Sequence, residues 1–469
     1  MADDAGVGAG GTEAQLAEAR RKFTADDLDG AEASALDAGG PAGDAETVSL
    51  LARILIKRGD LAGAEAVLTG ALEKAPEAAD LLLLRATVRE ALGQYPEAAQ
   101  DAATCVTIDA ANAHAHARLV SIFRAMKRPD EAAFFQYEVV KLTPGDAGAL
   151  LTLGMIMKDL GNPEAALELA QAADTVEPGR VDVQVALIDF LSAQGRFTES
   201  VEVGRKARSA FPADMRVLRN LANSLNYSGA KDEAVATFED ILRLHPDDGY
   251  ARHMVNALKG TASKQAEASY VAEIFDGAAD EFDGRMVDNL RYRVPGLMRK
   301  AVTGLTGRTD LSILDLGCGT GLCGITVRDL ASFMKGVDLS KGMLEQARNR
   351  GIYDELETGD VVAALRRDVR AYDVIMAGDV LVYFGDLAEL MKAAFARLMP
   401  SGHFIFSIER GPDDHAFNLM QNARYRHGRD YVETAAREAG FVVQDVRREG
   451  LRLENNQPVN GWLFILGKS

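Results

Sequence analysis

A repeat with a period of 34 residues runs through the first half of this 469-residue chain. Six copies are in phase from Glu46 to Tyr250, and a proline, a glycine and an alanine each recur in five of the six. The exceptions are Ala110, Lys127 and Ser200. One copy cannot bury its own apolar side chains, so we expect the copies to stack on one another. The residues in register are Pro76, Pro144, Pro178, Pro212 and Pro246; Gly59, Gly93, Gly161, Gly195 and Gly229; and Ala64, Ala98, Ala132, Ala166 and Ala234.

Each copy is predicted to form two helices. The glycine ends the first helix, the alanine lies where the two helices approach closely, and the proline ends the second. This pattern resembles the tetratricopeptide repeat (TPR) family. The resemblance implies an α-solenoid over residues 13–262, with a degenerate helix pair from Glu13 to Asp37 as a cap and a protein or peptide partner in its groove. A spacer or dimerisation surface is the alternative. Residues 1–12, rich in glycine, are expected to be a flexible tail.

The charge of the chain is unevenly distributed. Residues 1–263 contain 26 basic and 40 acidic side chains, and the whole chain has a net charge of −18. This acidity argues against a nucleic-acid partner, because binding phosphates requires clustered Lys and Arg. It favours a basic partner for the repeats. The sequence contains neither a run long enough to span a membrane nor a signal peptide at its amino terminus, so we expect a cytoplasmic protein with no membrane partner.

No metal site or disulfide framework is predicted. The three cysteines, Cys105, Cys318 and Cys323, form no CxxC pair, as most zinc sites would require. His114 and His116 are two residues apart on a predicted helix and do not face each other.

A glycine-rich loop organises the second half of the chain. Ser312–Gly321 reads as a short buried strand, with Asp315 near its end, followed by Gly317, Gly319 and Gly321. Glycines at such a turn let the backbone approach a ligand closely. The spacing of Gly319, Gly321 and Gly324 also fits the G-x-G-x-x-G pattern of dinucleotide-binding folds, which is weak evidence by itself.

Residues beyond the loop help to decide whether it belongs to a dinucleotide-binding fold or to another nucleotide-type site. Asp338 follows Gly317 by 21 residues, at the end of a second apolar stretch from Met334 to Val337. Together these features resemble motif I and the ribose-binding acid of class I S-adenosylmethionine (SAM)-dependent methyltransferases, over residues 263–469. The resemblance implies a Rossmann-like α/β domain with a seven-stranded sheet whose last strand is antiparallel, and SAM as the cofactor.

The resemblance also implies which residues hold SAM. Asp338 would accept hydrogen bonds from both ribose hydroxyls, Met343 would lie against the adenine, and Asp360 would accept from the adenine amino group. A helix from Leu322 to about Ala331 would direct its free N–H groups at the methionine carboxylate. The full set is Asp315, Gly317, Cys318, Gly319, Gly321, Asp338, Leu339, Met343, Asp360, Val361 and Asp379.

The remaining elements follow a doubly wound order. Arg252–Ala268 is expected to join the two halves as a helix. The Phe-Asp pairs at 275–276 and 282–283 resemble the helices that cover the SAM pocket in bacterial small-molecule methyltransferases. The segment resembles even more closely the predicted methyltransferases that carry TPR repeats. The alternative is an amphipathic helix with both phenylalanines on its core face. Further predictions are strands at Tyr372–Ala377 and Phe404–Ile408, a helix at Lys392–Met399, and a hairpin of Phe441–Val446 and Trp462–Leu466.

The methyl acceptor is expected beyond the fourth strand, near Gly378–Tyr383. The absence there of Asn/Asp-Pro-Pro-Tyr argues against adenine in DNA and protein glutamine as acceptors. Asn422–Arg429 holds three arginines, a tyrosine and a histidine, and arginine forks favour an anionic acceptor. The alternative is that these arginines are solvated or paired with Asp430 and Glu433. The candidate acceptor-binding residues are Arg291, Tyr292, Tyr383, Arg424, Tyr425 and Arg426.

Methyl transfer is a displacement that depends on positioning. A carboxylate acceptor needs no base, whereas a hydroxyl, amine or carbon acceptor would need His427, Glu409 or Asp379, in that order. We therefore expect a methyltransferase acting on a small or carrier-bound acceptor, with the repeats binding a protein. Two alternatives remain: a protein methyltransferase whose TPR groove recruits its substrate, and a non-catalytic SAM-binding scaffold.

Overall fold

A computed structural model describes residues 6–261, 264–280, 282–412, 415–420, 422–454 and 457–469. Spatial contacts divide the chain into two compact units, Met1–Asn220 and Leu221–Ser469. The division at residues 262 and 263 stays a prediction.

The first unit is helical. After an initial pair of helices and a 3-10 turn at Gly40–Ala42, helices follow one another in pairs, and the last of them, α13, crosses into the second unit. The predicted α-helical repeat fold is confirmed. The helices are α1 Gly6–Thr24, α2 Leu28–Asp37, α3 Ala45–Arg58, α4 Leu61–Leu72, α5 Ala79–Ala91, α6 Tyr95–Ile108, α7 Ala113–Ala125, α8 Pro129–Leu142, α9 Ala147–Asp159, α10 Pro163–Val176, α11 Val181–Ala193, α12 Phe197–Ala210 and α13 Met215–Tyr227.

The repeated small residues have the roles that their positions predict. Gly59 ends α3 with a φ of 82°, in the left-handed region that favours glycine. Gly154 in α9 lies so close to α10 that a Cβ atom would be 3.2 Å from the backbone oxygen of Ala166. The start of the chain differs from the prediction: α1 begins at Gly6, inside the expected tail, and residues 1–5 lie outside the described part.

The second unit combines helices with two sheets. A five-residue π-helix, Arg285–Asn289, follows α17, and 3-10 turns lie at Arg328–Leu330 and Leu381–Tyr383. The helices are α14 Lys231–Leu244, α15 Gly249–Lys259, α16 Ala268–Ala278, α17 Phe282–Gly284, α18 Val294–Thr306, α19 Gly324–Val327, α20 Lys341–Arg350, α21 Val361–Arg367, α22 Ala388–Arg397 and α23 Arg429–Glu438. The strands are β1 Leu311–Leu316, β2 Ala331–Asp338, β3 Glu355–Thr358, β4 Tyr372–Ala377, β5 Leu398–Glu409, β6 Phe417–Leu419, β7 Tyr425–His427, β8 Val442–Glu454 and β9 Gln457–Gly467.

The larger sheet has seven strands in the order β3-β2-β1-β4-β5-β9-β8. The pairs from β3 to β5 are parallel, and β9 is antiparallel to both of its neighbours. This confirms the predicted Rossmann-like sheet with an antiparallel last strand. Successive residues of β1 belong to the hydrophobic cores on opposite faces of the sheet. Ile313 is in one core with Met334 and Val374, and Leu314 is in the other with Val337 and Ile375. Burial on both faces explains why the parallel strands read as continuous apolar runs.

Three predicted helices differ from the structure. The helix expected from Leu322 to about Ala331 forms as α19 followed by the 3-10 turn Arg328–Leu330, and it ends there because Ala331 already pairs with Leu311 in the sheet. The helix expected at Lys392–Met399 is α22, Ala388–Arg397, because Leu398 already begins β5. The join between the two halves is not one helix either. Gly260 ends α15 with a φ of 70°, and Gln265 forms an isolated bridge with Phe384.

Within the described residues, the longest helices are too short or too polar to cross a lipid bilayer.

Candidate active site

A pocket of about 1060 Å³, including its mouth, lies in the second unit beyond the carboxyl ends of β1, β2 and β4. This is the edge of a doubly wound sheet at which ligands bind, and its size suits a cofactor-sized molecule. Most of the predicted site residues lie on its wall. They are Tyr292, Asp315, Gly317, Cys318, Gly319, Asp338, Leu339, Asp360, Val361, Asp379, Tyr383 and Arg424.

The loop after β1 depends on its glycines. Gly317 and Gly319 have φ values of 62° and 56°. A Cβ atom on Gly317 would lie 2.4 Å from Cγ2 of Val380, so a side chain there would force the loop away from the segment that follows β4. The loop backbone thereby forms part of the pocket wall.

Asp338 at the end of β2 is tied to this loop. Its Oδ2 accepts a hydrogen bond from the backbone N–H of Gly319 at 2.8 Å, and its Oδ1 accepts from the backbone N–H of Ser340 at 2.9 Å. Burial raises the pKa of Asp338, although these hydrogen bonds act in the opposite direction. The carboxylate is fixed, and each of its oxygens keeps a further lone pair for a ligand.

Asp315, buried at the end of β1, has an unsatisfied oxygen. Its Oδ2 accepts a hydrogen bond from the Tyr353 hydroxyl at 2.7 Å, while its Oδ1 has no partner among the described residues. Burial raises the pKa of Asp315 to about 7, against the effect of the tyrosine hydrogen bond. A buried carboxylate oxygen without a donor is costly, so this atom is suited to receive a ligand N–H or O–H.

Asp360 caps α21 at the far end of the pocket. Its Oδ1 accepts from the backbone N–H of Ala363, and its Oδ2 accepts from Nε2 of Gln265, both at 2.9 Å. Gln265 belongs to the extended segment between α15 and α16. A ligand group that used Asp360 would therefore meet this glutamine as well.

The helices with the Phe-Asp pairs cover the pocket. Phe275 and Phe282 both line it, with their ring centroids 6.0 Å apart. The two aspartates hold these helices in place. Asp276 Oδ1 accepts from the Gly342 backbone N–H at 3.0 Å and from the Ser340 hydroxyl, and Asp283 accepts from Thr320 Oγ1 and pairs with Arg350. Such a cover shields a bound ligand from water.

The opposite side of the pocket carries a charged network. Arg452 of β8 is almost fully buried and donates to Asp379 at 2.8 Å and to Glu409. Glu409 Oε1 also accepts from Nη1 of Arg424 at 3.2 Å. Burial alone would raise the pKa of Glu409, but the charges of Arg452 and Arg424 outweigh it and hold that pKa below its usual range.

Two of the three candidate bases, Asp379 and Glu409, are joined through Arg452. His427 is fully buried, its Nε2 donates to the backbone oxygen of Gly385 at 3.2 Å, and burial lowers its pKa to about 4. Neither His427 nor Glu409 lies on the pocket wall, whereas Asp379 does. Asp379 is already engaged by Arg452, and its φ of 60° is unusual for a residue with a side chain. The geometry does not support the expected order of these bases, in which His427 comes first and Asp379 last.

Five other predicted site residues lie off the pocket wall. Met343 is buried within α20, and Tyr425 is buried in β7. Arg426 contacts Glu409 Oε2 at 3.4 Å, and Arg291 precedes α18 with a φ of 47°. A Cβ atom on Gly321 would contact the Tyr353 ring at 3.1 Å, so this glycine serves packing behind the loop.

Several residues of the site were not predicted. Thr320 within the glycine loop and Leu322 and Cys323 directly after it line the pocket and could have been found by their position. Tyr353 and Arg452, which hold acids of the pocket wall, carry no local signal, because their partners are 38 and 73 residues away. The described residues contain no cluster of three or more His, Cys, Asp or Glu that could hold a metal ion.

Comparison with known proteins agrees with this architecture. The methyltransferase domain family matches residues 314–404, and the tetratricopeptide repeat family matches residues 49–113, 151–214 and 185–249. The biotin biosynthesis bifunctional protein BioHC of Saccharophagus degradans is 30% identical over 38% of this chain and 34% of its own length. A malonyl-acyl carrier protein O-methyltransferase of Salmonella typhimurium is 31% identical over 23% of this chain and 42% of its own length. The chain thus spans less than half the length of these relatives.

Among solved structures, magnesium protoporphyrin IX methyltransferase from Synechocystis, with bound SAH, has 14% identity and a TM-score of 0.35, over 43% of this chain and all of that one.

The sheet order and the pocket at its carboxyl edge define the class of the second unit, which has a methyltransferase fold. The chain as a whole carries TPR repeats in its first half and a methyltransferase domain in its second.

Proposed function

We propose that the protein is a SAM-dependent methyltransferase that methylates the carboxylate of a small or carrier-bound acceptor. The observation that carries this proposal is the presence of acidic side chains and an arginine in one pocket. Asp315, Asp338 and Asp360, at or after β1, β2 and β3, form its acidic end, and Arg424 lies beyond β4 with Asp379 near it.

SAM fits the acidic end. The unpartnered Oδ1 of Asp315 is suited to its amino group, and the fixed carboxylate of Asp338 is suited to its ribose hydroxyls. When bound, SAM supplies a methyl group on a sulfonium, which is ready for displacement. Phe275 and Phe282 exclude water from the reacting atoms.

Arg424 supports an anionic acceptor. Its guanidinium contacts Glu409 through Nη1 and lies on the pocket wall. A guanidinium fork binds a carboxylate in a fixed orientation, and a fixed orientation is the main contribution that an enzyme makes to this displacement. A carboxylate oxygen forms the bond to the methyl carbon as the carbon–sulfur bond breaks, and no proton has to leave. This agrees with a pocket in which Asp379 is already engaged by Arg452.

The relative from Salmonella typhimurium is named for O-methylation of a malonyl group on acyl carrier protein. This supports a carrier-bound carboxylate, although the match covers 42% of that protein. For the repeats, we propose a protein or peptide partner of basic character. The excess of acidic side chains over basic ones in residues 1–263, 40 against 26, supports that choice.

The test combines the full-length protein with methyl-labelled SAM and malonyl-acyl carrier protein. We expect label on the carrier that mild alkali releases as methanol, as a methyl ester requires. An extract of the source cells, separated by size after labelling, would extend the search to other acceptors. Alkali-stable label on proteins would instead support recruitment of protein substrates by the repeats. Binding of SAM without any transfer would support the non-catalytic scaffold.

A further inference from the structure

The turn between β6 and β7 presents Arg424 to the pocket. Ala423, immediately before it, is buried and has a φ of 62°. The turn is closed by hydrogen bonds from Ala423 N to Met420 O at 2.9 Å and from Met420 N to Arg424 O at 2.8 Å. A left-handed conformation is unfavourable for a residue with a side chain, so contacts outside the turn help to hold it.

One such contact comes from α15, the helix that follows the six repeats. Nε2 of His253, in α15, lies 2.9 Å from the backbone oxygen of Ala423. The imidazole is almost fully buried, and burial lowers its pKa, so the ring is neutral and carries one N–H. The carbonyl acceptor assigns that hydrogen to Nε2. Nδ1 has no partner among the described residues.

The imidazole is itself held firmly. It stacks on the Tyr270 ring with a centroid distance of 4.8 Å and lies 6.2 Å from the ring of Tyr425. Tyr270 belongs to α16, which also helps to cover the pocket. Helices α15 and α16 approach so closely that a Cβ atom on Gly249 would lie 2.5 Å from the Ser269 hydroxyl. The donor at His253 therefore has a defined position relative to the turn.

We propose that His253 is a positioning residue: by holding the Ala423 carbonyl, helix α15 directs the Arg424 guanidinium at the acceptor. This makes the helix that follows the repeats a structural part of the acceptor site. The proposal rests on the proposed function for the role of Arg424, but the contact itself can be tested without any acceptor.

The first test follows hydrogen exchange in the full-length protein across residues 415–429. His253→Leu removes the donor, His253→Gln keeps an amide N–H near the position of Nε2, and His245→Ala is a matched control at an exposed histidine of the same region. We expect the Met420 and Ala423 amides to exchange about tenfold faster in His253→Leu. They should keep wild-type rates in the other two variants. Unchanged exchange in a folded His253→Leu protein would overturn the proposal.

The second test separates positioning from general stability. With malonyl-acyl carrier protein as the probe, His253→Leu should lower kcat/KM about tenfold, leave the SAM dissociation constant nearly unchanged, and be rescued by His253→Gln. Equal kcat/KM values in the Leu and Gln variants would count against positioning. A wild-type protein that leaves this probe unmethylated would refute the proposed acceptor, and hydrogen exchange would then decide on His253 alone. If His253→Leu does not fold, His253→Asn, whose amide is one methylene shorter than that of Gln, takes its place.

Discussion

The Oδ2 atom of Asp338 lies 2.8 Å from the backbone nitrogen of Gly319 and accepts its hydrogen. The acid at the end of β2 thus joins the glycine loop that follows β1, and the two form one continuous wall of the pocket. The hydrogen bond couples the position of the loop to that of the acid.

The first prediction concerns this wall. Asp338→Ala should weaken SAM binding by about 1–3 kcal/mol, because it leaves hydrogen-bond donors of the ligand unpaired. Titration calorimetry on the full-length protein measures the effect. Glu345→Ala, in the neighbouring helix α20 and off the pocket wall, is the control and should bind SAM normally. An Asp338→Ala protein with wild-type affinity would disprove the ribose assignment.

The second prediction is a pH dependence caused by Asp315. Its raised pKa, about 7, means that the free protein binds a proton there at pH 6, and a cationic amino group must displace that proton. SAM affinity should therefore increase by up to about tenfold per pH unit between about pH 5.5 and 7, and then level off.

The stability of the fold should change with pH in the opposite direction to SAM affinity. Protonated Asp315 contributes stability to the folded protein, and this contribution is lost as the pH rises through 7. Asp315→Asn should remove the pH dependence of binding. A slope that persists in this variant would assign the titration to another group.

The third prediction separates two arginines that both contact Glu409. Arg424 lies on the pocket wall and Arg426 does not. Arg424→Ala should reduce turnover of a carboxylate acceptor at least about tenfold while SAM affinity is kept, because truncating a charge-assisted contact costs about 1.5–3 kcal/mol. Arg426→Ala should lose much less. Equal losses in turnover would indicate that both act only through Glu409.

The fourth prediction compares two glycines. Gly317→Ala would place a Cβ atom 2.4 Å from Val380 at a φ of 62°, so it should destabilise the protein by about 1–3 kcal/mol and weaken SAM binding. Gly304→Ala, in α18 with open space around it, should be neutral or stabilising by up to about 1 kcal/mol. Thermal unfolding of both variants gives the comparison. Similar unfolding temperatures would show that the loop can relax.

The sequence predicted elements well where the signal is local. Strand β4 spans Tyr372–Ala377 as expected, because an apolar run broken only by Asp373 ends there at a glycine. The repeat glycines and alanines marked helix ends and close contacts for the same reason. The helix expected after the glycine loop is split into an α-helix and a 3-10 turn and ends at Leu330, because Ala331 pairs with Leu311, which is a tertiary constraint.

The candidate site was likewise predicted best where the sequence signal is local. The acids at the strand ends follow a spacing that can be read along the chain, and Asp315, Asp338 and Asp360 all reach the pocket. The arginine cluster was harder to interpret, because three nearby arginines lie in different surroundings although two of them share Glu409. Arg424 reaches the pocket, Arg426 contacts Glu409, and Arg429 pairs with Glu433 at 2.7 Å, as one sequence alternative held.

The membership of α14 and α15 in the same compact unit as the sheet bears on how such a chain can evolve. A recombination event that cut between residues 262 and 263 would separate the helix that carries His253 from the turn that carries Arg424. A break near residue 220 would keep them together. Under gene fusion or exchange, helices α14 and α15 and the Rossmann-like sheet would therefore be inherited as one block, while the repeats before them are free to vary in number.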